Sequence, residues 1–97
     1  MSESTETSEH SQEVAIENKL GLHARAATLF VQLASTFPCE VFIGKGEQEV
    51  NGKSIMGILM LVAGHGTMIK IRCVGPKSKT ACEELTQLIK SRFGEAE

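Results

Sequence analysis

The apolar positions of this chain switch between a period of two and a period near 3.6, and the switches divide it into elements. Val14 and Ile16 alternate with polar neighbours and predict a short strand. Asn18, Lys19 and Gly21 break it. Over residues 24–36, Ala27, Phe30, Val31 and Ala34 fall at i, i+3, i+4 and i+7, the stripe of an amphipathic helix. Pro38 stops that helix. Val41, Phe42 and Ile43 read as a second strand, residues 44–47 as a turn, and Glu49, Val50 and Asn51 as a third strand. Two strands this close in sequence pair as a hairpin. Ser54, a favoured N-cap, opens the apolar stretch Ile55 to Val62, which reads as a short helix closed by Gly64-His65-Gly66. Ile69, Ile71 and Cys73 alternate with Lys70 and Arg72, the clearest half-buried strand in the chain. After Gly75-Pro76, residues 77–93 carry Ala81, Leu85, Leu88 and Ile89 on one helical face.

The resulting order is βαββαβα. Strands and helices mixed in this way, with a polar face on the strongest strand, predict an α+β fold with helices on one side of an antiparallel sheet, an open-faced sandwich of two layers. Ninety-seven residues allow one such domain and one core. A chain this small has no room for an enclosed active site, so its chemistry belongs at the surface and draws on a partner. Within the apolar stretch, Ile58, Leu61 and Val62 are the expected core residues. Ile55, Met56 and Leu59 then remain as an exposed apolar patch of the kind that meets another protein.

Charge adds a boundary. Residues 1–12 hold Glu3, Glu6 and Glu9 and no Lys or Arg, and they bury too little to offset their ordering entropy. They read as a disordered acidic tail, with the domain occupying residues 13–97. The remainder has ten basic and nine acidic residues, which is not the basic footprint that nucleic acid requires. The absence of Trp and Tyr removes stacking platforms as well. Cys39, Cys73 and Cys82 are an odd number without a CxxC pair, so buried reduced thiols are expected, not a disulfide framework or a zinc site. No apolar run reaches the length of a membrane span, and the N-terminus has neither a basic nor an apolar leader region. These features predict a monomer that stays in the cytoplasm, without metal or other cofactor.

Of the three histidines, His10 falls in the tail and His65 between two glycines of a turn. His23 differs from both, because it stands in Gly21-Leu22-His23-Ala24-Arg25 between a strand and a helix start. The first four N–H groups of a helix have no intrahelical acceptor, and with the macrodipole they form an anion site. With His23 at the N-cap, a phosphoryl group on its ring would accept there from the amides of Ala24 and Arg25, and the Arg25 guanidinium would add a charge-assisted contact. The dipole contributes only about 0.3–1 kcal/mol, enough to tune a transferable group without trapping it.

The segment Asn18-Lys19-Leu20-Gly21-Leu22-His23-Ala24-Arg25-Ala26-Ala27 resembles the active-site segment of HPr, the histidine-containing phosphocarrier family of the bacterial phosphoenolpyruvate-dependent phosphotransferase system. Asn51-Gly52-Lys53-Ser54-Ile55-Met56-Gly57 resembles the regulatory-serine segment of the same family. Both motifs keep the family's separation, and the likeness spans about residues 13–93. It implies four antiparallel strands with three helices on one face, and a phosphoryl group carried on Nδ1 of His23. The donor would be Enzyme I, charged by phosphoenolpyruvate, and the acceptor an Enzyme IIA domain. Arg25 matches the arginine that assists the phosphate. Ser54 matches the serine modified in some bacteria by an ATP-dependent kinase and restored by a phosphatase. Ile55, Met56 and Leu59 match the docking patch.

Ala26 departs from the pattern, since the family usually has Pro there. Alanine returns one N–H to the first turn, so the expectation is a working carrier with a slightly altered anion site. Ser54 also has a plain role as an N-cap, compatible with modification. A membrane-surface helix at residues 55–62 is disfavoured by its shortness and its lack of a basic face. An alternative on the same fold is a regulatory interaction protein controlled by phosphorylation at Ser54 or His23, with no sugar transport attached.

Overall fold

The computed structural model describes residues 8–97. Its elements are β1 (Glu9–Ala15), α1 (Ala24–Ala34), β2 (Glu40–Lys45), β3 (Gln48–Asn51), α2 (Ile55–Leu59), β4 (Met68–Val74) and α3 (Ser78–Lys90), followed by a 3-10 turn at Arg92–Gly94. The strands form one antiparallel sheet in the order β1-β4-β2-β3. This is the α+β arrangement that the alternating and helical periods predict.

The strand that alternates most cleanly is central. β4 turns Ile69, Ile71 and Cys73 inward and leaves Lys70 exposed, while Val14 of β1 and Val41 and Ile43 of β2 join the same inner face. Ala27 and Phe30 of α1 and Ala81, Leu85 and Ile89 of α3 close the core from the helix layer. On the open face, Arg72 donates to both carboxylate oxygens of Glu49, at 2.8 and 2.9 Å, and lies 4.3 Å from the centre of the Phe42 ring. Cys39, Cys73 and Cys82 are buried free thiols.

Three expectations need correction. Residues 9–12 are not tail: they pair with β4, Glu9 opposite Val74 and Gln12 opposite Ile71, and residues 1–7 of the expected tail lie outside the described residues. The side chains of residues 9–12 are exposed and polar, but the ladder is made by the main chain, which composition does not report. His10, assigned to the tail, instead stands in this strand with Nδ1 2.9 Å from the Ser78 hydroxyl.

The second correction is Val62. It is 76% exposed, whereas Ile58 and Leu61 are in the core as expected. The helix ends at Leu59, and Val62 takes a left-handed φ of 53° so that the carbonyl of Ala63 can accept from the N–H of Leu22 at 2.9 Å. Ala63 is thereby turned inward in place of Val62. Lys45 reinforces this turn by donating to the carbonyls of Leu61 and Val62 at 3.1 and 3.0 Å.

The third is the end of α3. Regular helix stops at Lys90, and Arg92 and Phe93 both adopt left-handed φ, 60° and 55°. A left-handed conformation costs a bulky residue about 1–2 kcal/mol. Here two such residues fold Phe93 into the core, 2% exposed, a burial that contributes about 1.5–3 kcal/mol and offsets most of the strain. The reversal sends the last residues back across the sandwich toward His23.

Candidate functional site

The loop from residue 18 to 23 is built as a platform for the histidine. Asn18 is fully buried and donates through Nδ2 to the carbonyl of Gly21 at 2.8 Å, while the N–H of Gly21 returns to the carbonyl of Asn18 at 3.2 Å. Leu22 is buried beside Ala63, tying this loop to the turn after α2. Gly21 has a φ of +70°, and a Cβ on it would lie 2.6 Å from the carbonyl oxygen of Ala63 and 2.7 Å from Cα of Gly64. Only glycine lets the two loops approach this closely.

His23 is the N-cap of α1, with an extended backbone (φ −79°, ψ 178°). Its carbonyl accepts the first intrahelical bond, from the N–H of Ala27 at 2.8 Å. The N–H groups of Ala24, Arg25 and Ala26 therefore precede the ladder. The imidazole makes no capping bond to the helix, and its side chain is 27% exposed. The ring is thus held at the rim of the helix terminus and open to a second molecule. Ala24 and Arg25 are exposed at this end, whereas Ala26 is fully buried.

A residue that the sequence pattern did not single out completes the site. Nε2 of His23 lies 2.5 Å from Oε2 of Glu95. The same carboxylate accepts from Asn18 Nδ2 through Oε1 at 3.0 Å and, more weakly, from Arg25 Nη1 through Oε2 at 3.4 Å. The backbone beyond it is pinned as well, because the N–H of Lys19 donates to the carbonyl of Glu97 at 2.9 Å. Burial alone would raise the Glu95 carboxyl, but the hydrogen bonds from His23 and Asn18, with the charges of His23 and Arg25, outweigh it and hold it below its ordinary value. An ionised Glu95 makes Nε2 the proton donor of the pair. Among the described residues no hydrogen bond engages Nδ1, so the two nitrogens are differentiated.

Ser54 is the N-cap of α2, its hydroxyl accepting from the N–H of Gly57 at 3.0 Å. It reaches His23 only through the helix it starts, whose far end brings Leu59 and Val62 into a groove shared with Leu20 and His23. Of the expected apolar patch, Met56 is 68% exposed, Ile55 is partly exposed, and Leu59 is half-buried against the core. Leu20, Met60 and Val62 are exposed additions that the sequence pattern did not pick out. Leu20 stood as an apolar residue among the breakers before His23, whereas Met60 and Val62 fell within the expected helix. No helix among the described residues is long and apolar enough to cross a membrane.

Comparison with known proteins agrees with the fold. Residues 10–91 match the family model PTS-HPr, described as the PTS HPr component phosphorylation site. The chain is 50% identical over 86 residues to the phosphocarrier protein HPr of Neisseria meningitidis serogroup A, covering 89% of this chain and 97% of that protein. It is 46% identical over 87 residues to HPr of Pseudomonas putida, covering 89% and 97%. Among solved structures, HPr-C-His from Thermoanaerobacter tengcongensis superposes with a TM-score of 0.87 at 42% identity, covering 91% of this chain and 99% of that one.

Proposed function

The chain belongs to the HPr family of the bacterial phosphotransferase system, and we propose that it carries its phosphoryl group on Nδ1 of His23. As a phosphocarrier it accepts the group, holds it and surrenders it. The observation that carries the assignment is the pairing of an open imidazole at the N-cap of α1 with an ionised carboxylate on its other nitrogen. Nδ1 is left as the atom with a lone pair, on the residue that caps the helix whose first amides are those of Ala24 and Arg25. Those amides and the Arg25 guanidinium receive the phosphoryl oxygens.

Enzyme I is the donor and an Enzyme IIA domain the acceptor, both meeting the apolar surface around the histidine. Ile55, Met56 and Leu59 belong to that surface, extended by Leu20, Met60 and Val62. The chain acts stoichiometrically in the cytoplasm and is not a catalyst with turnover of its own, since the site is too open to exclude water. Ser54 is the regulatory position. A phosphate there adds about −1.5 to −2 charge at the start of α2, next to Ile55 and Met56, and opposes docking without unfolding the helix. An ATP-dependent kinase and phosphatase are its partners where the cell has them.

Phosphoenolpyruvate-dependent labelling by the cognate Enzyme I tests the assignment. The native protein should gain one acid-labile, base-stable phosphoryl group that is absent from His23→Ala. Labelling of the alanine variant would remove His23 from its role.

A further inference from the structure

The carboxylate on His23 comes from the opposite end of the chain, and four features show that it is seated there and not merely nearby. Glu95 is only 15% exposed at its side chain. Both of its oxygens are used, Oε1 by Asn18 and Oε2 by His23 and Arg25. Asn18, which holds it, is itself fully buried and is also bonded to the loop carbonyl of Gly21. The reversal at Arg92 and Phe93, anchored by the burial of Phe93, is what delivers it. A carboxylate hydrogen-bonded to one imidazole nitrogen fixes the tautomer and ring orientation, and it stabilises positive charge that develops on the ring when the other nitrogen reacts.

We propose that Glu95 is a positioning residue for phosphoryl acceptance, holding His23 as the Nε2–H tautomer with the Nδ1 lone pair presented at the start of α1. This inference rests on the reading of His23 as the phosphoryl acceptor. In the step it serves, the Nδ1 lone pair forms the bond to phosphorus. The bond from phosphorus to the donor atom breaks, and its electron pair stays with the donor. The proton on Nε2 does not move, and the positive charge that the new N–P bond places on the ring is shared with that N–H, where Oε2 already accepts it. Arg25 has a second part. Its bond to Glu95 is long, at 3.4 Å, and its side chain is 61% exposed. The guanidinium is therefore parked beside the site and free to turn to the incoming phosphoryl oxygens while Glu95 keeps its hold on Nε2.

The test compares the native chain with Glu95→Gln and Glu95→Ala, full length, by two readouts. The first is the nitrogen-15 chemical shifts of the His23 ring at fixed neutral pH, which report the tautomer and need no donor protein. The native chain and Glu95→Gln, whose amide oxygen still accepts, should show Nε2–H, and Glu95→Ala a mixture of tautomers. The second is the rate of phosphorylation by Enzyme I as a function of carrier concentration. Loss of a charge-assisted hydrogen bond at a partly exposed site lowers the maximal rate about tenfold in Glu95→Ala. Glu95→Gln should fall between, and the half-saturating concentration should change little. An unchanged tautomer in Glu95→Ala, or equal maximal rates in all three proteins, overturns the proposal. A native chain that shows the Nε2–H tautomer yet is labelled elsewhere than His23 overturns the site assignment instead, so the two failures are distinguishable.

Discussion

Replacing Gly21 with alanine probes the contact on which the site rests. A left-handed φ costs alanine about 1–2 kcal/mol. The added methyl also meets backbone atoms of the facing loop, 2.6 Å from the carbonyl oxygen of Ala63 and 2.7 Å from Cα of Gly64, and neither can rotate away. Relief requires the two loops to separate, which gives up the hydrogen bond from Leu22 to Ala63, worth about 0.5–1.5 kcal/mol. The sum is a loss of about 1.5–3.5 kcal/mol, a large share of the roughly 5–15 kcal/mol typical of a domain. Gly46 is the internal control, because it has nearly the same φ of +61° but nothing within 4 Å of a methyl placed on it. Gly46→Ala should lose only the conformational cost. Urea unfolding followed by far-ultraviolet circular dichroism suits a chain without Trp or Tyr. If Gly21→Ala is destabilised no more than Gly46→Ala, the loops do not pack as described, and the positioning of His23 by that packing is wrong.

Other consequences follow from single contacts. Ser54→Ala removes the hydroxyl that accepts from Gly57 and should cost about 1 kcal/mol, read as a lower urea midpoint, whereas Ser54→Asp keeps an N-cap acceptor and should recover most of it. An unchanged midpoint in Ser54→Ala would mean that the cap contributes nothing. The Cys73 thiol is pushed up to about 12 by burial, reinforced by the neighbouring Cys39 and Cys82. At about pH 8 a thiol-specific reagent should therefore leave the native protein untouched over minutes and titrate all three cysteines in urea; fast reaction of one native thiol contradicts this. The hydrogen bonds from Arg72, with its charge and that of Lys70, hold the Glu49 carboxyl below its ordinary value against the opposing effect of burial. Because the folded value is the lower one, this pair stabilises fully above the unfolded value and loses its contribution as pH falls from about 5 through the folded value. The pair is partly exposed, so the stability gap between the native chain and Glu49→Gln should be at most about 1 kcal/mol at neutral pH and should close in acid. A gap that persists at about pH 3 would assign the effect to packing on Phe42.

The chain's local patterns were enough to place most elements and to set His23 at a helix start. The two-residue alternation at Ile69, Ile71 and Cys73 marks the central strand because a sheet with one face in the core must repeat every second residue. The stripe from Ala27 to Ala34 marks α1 by the same logic at the helical period, and Ser54 announces its own helix because capping is an interaction between residues three apart. His23 was legible for a related reason, since a strand-to-helix boundary is a local event and the exposed amides follow from helix geometry alone. Three matters were decided only by the tertiary structure. The pairing of residues 9–12 depends on main-chain groups of β4 far along the chain, which a composition of Glu, His, Ser and Gln conceals. The outward turn of Val62 depends on a hydrogen bond between two loops, so an apolar run that looks continuous is cut where Ala63 must reach Leu22. The seating of Glu95 on His23 joins residues 72 positions apart and relies on a reversal at Phe93 that no local propensity favours. Period, caps and breakers are properties of neighbouring residues and can be read in order, whereas a carboxylate that orients an imidazole from the far end of the chain exists only once the core has closed between them.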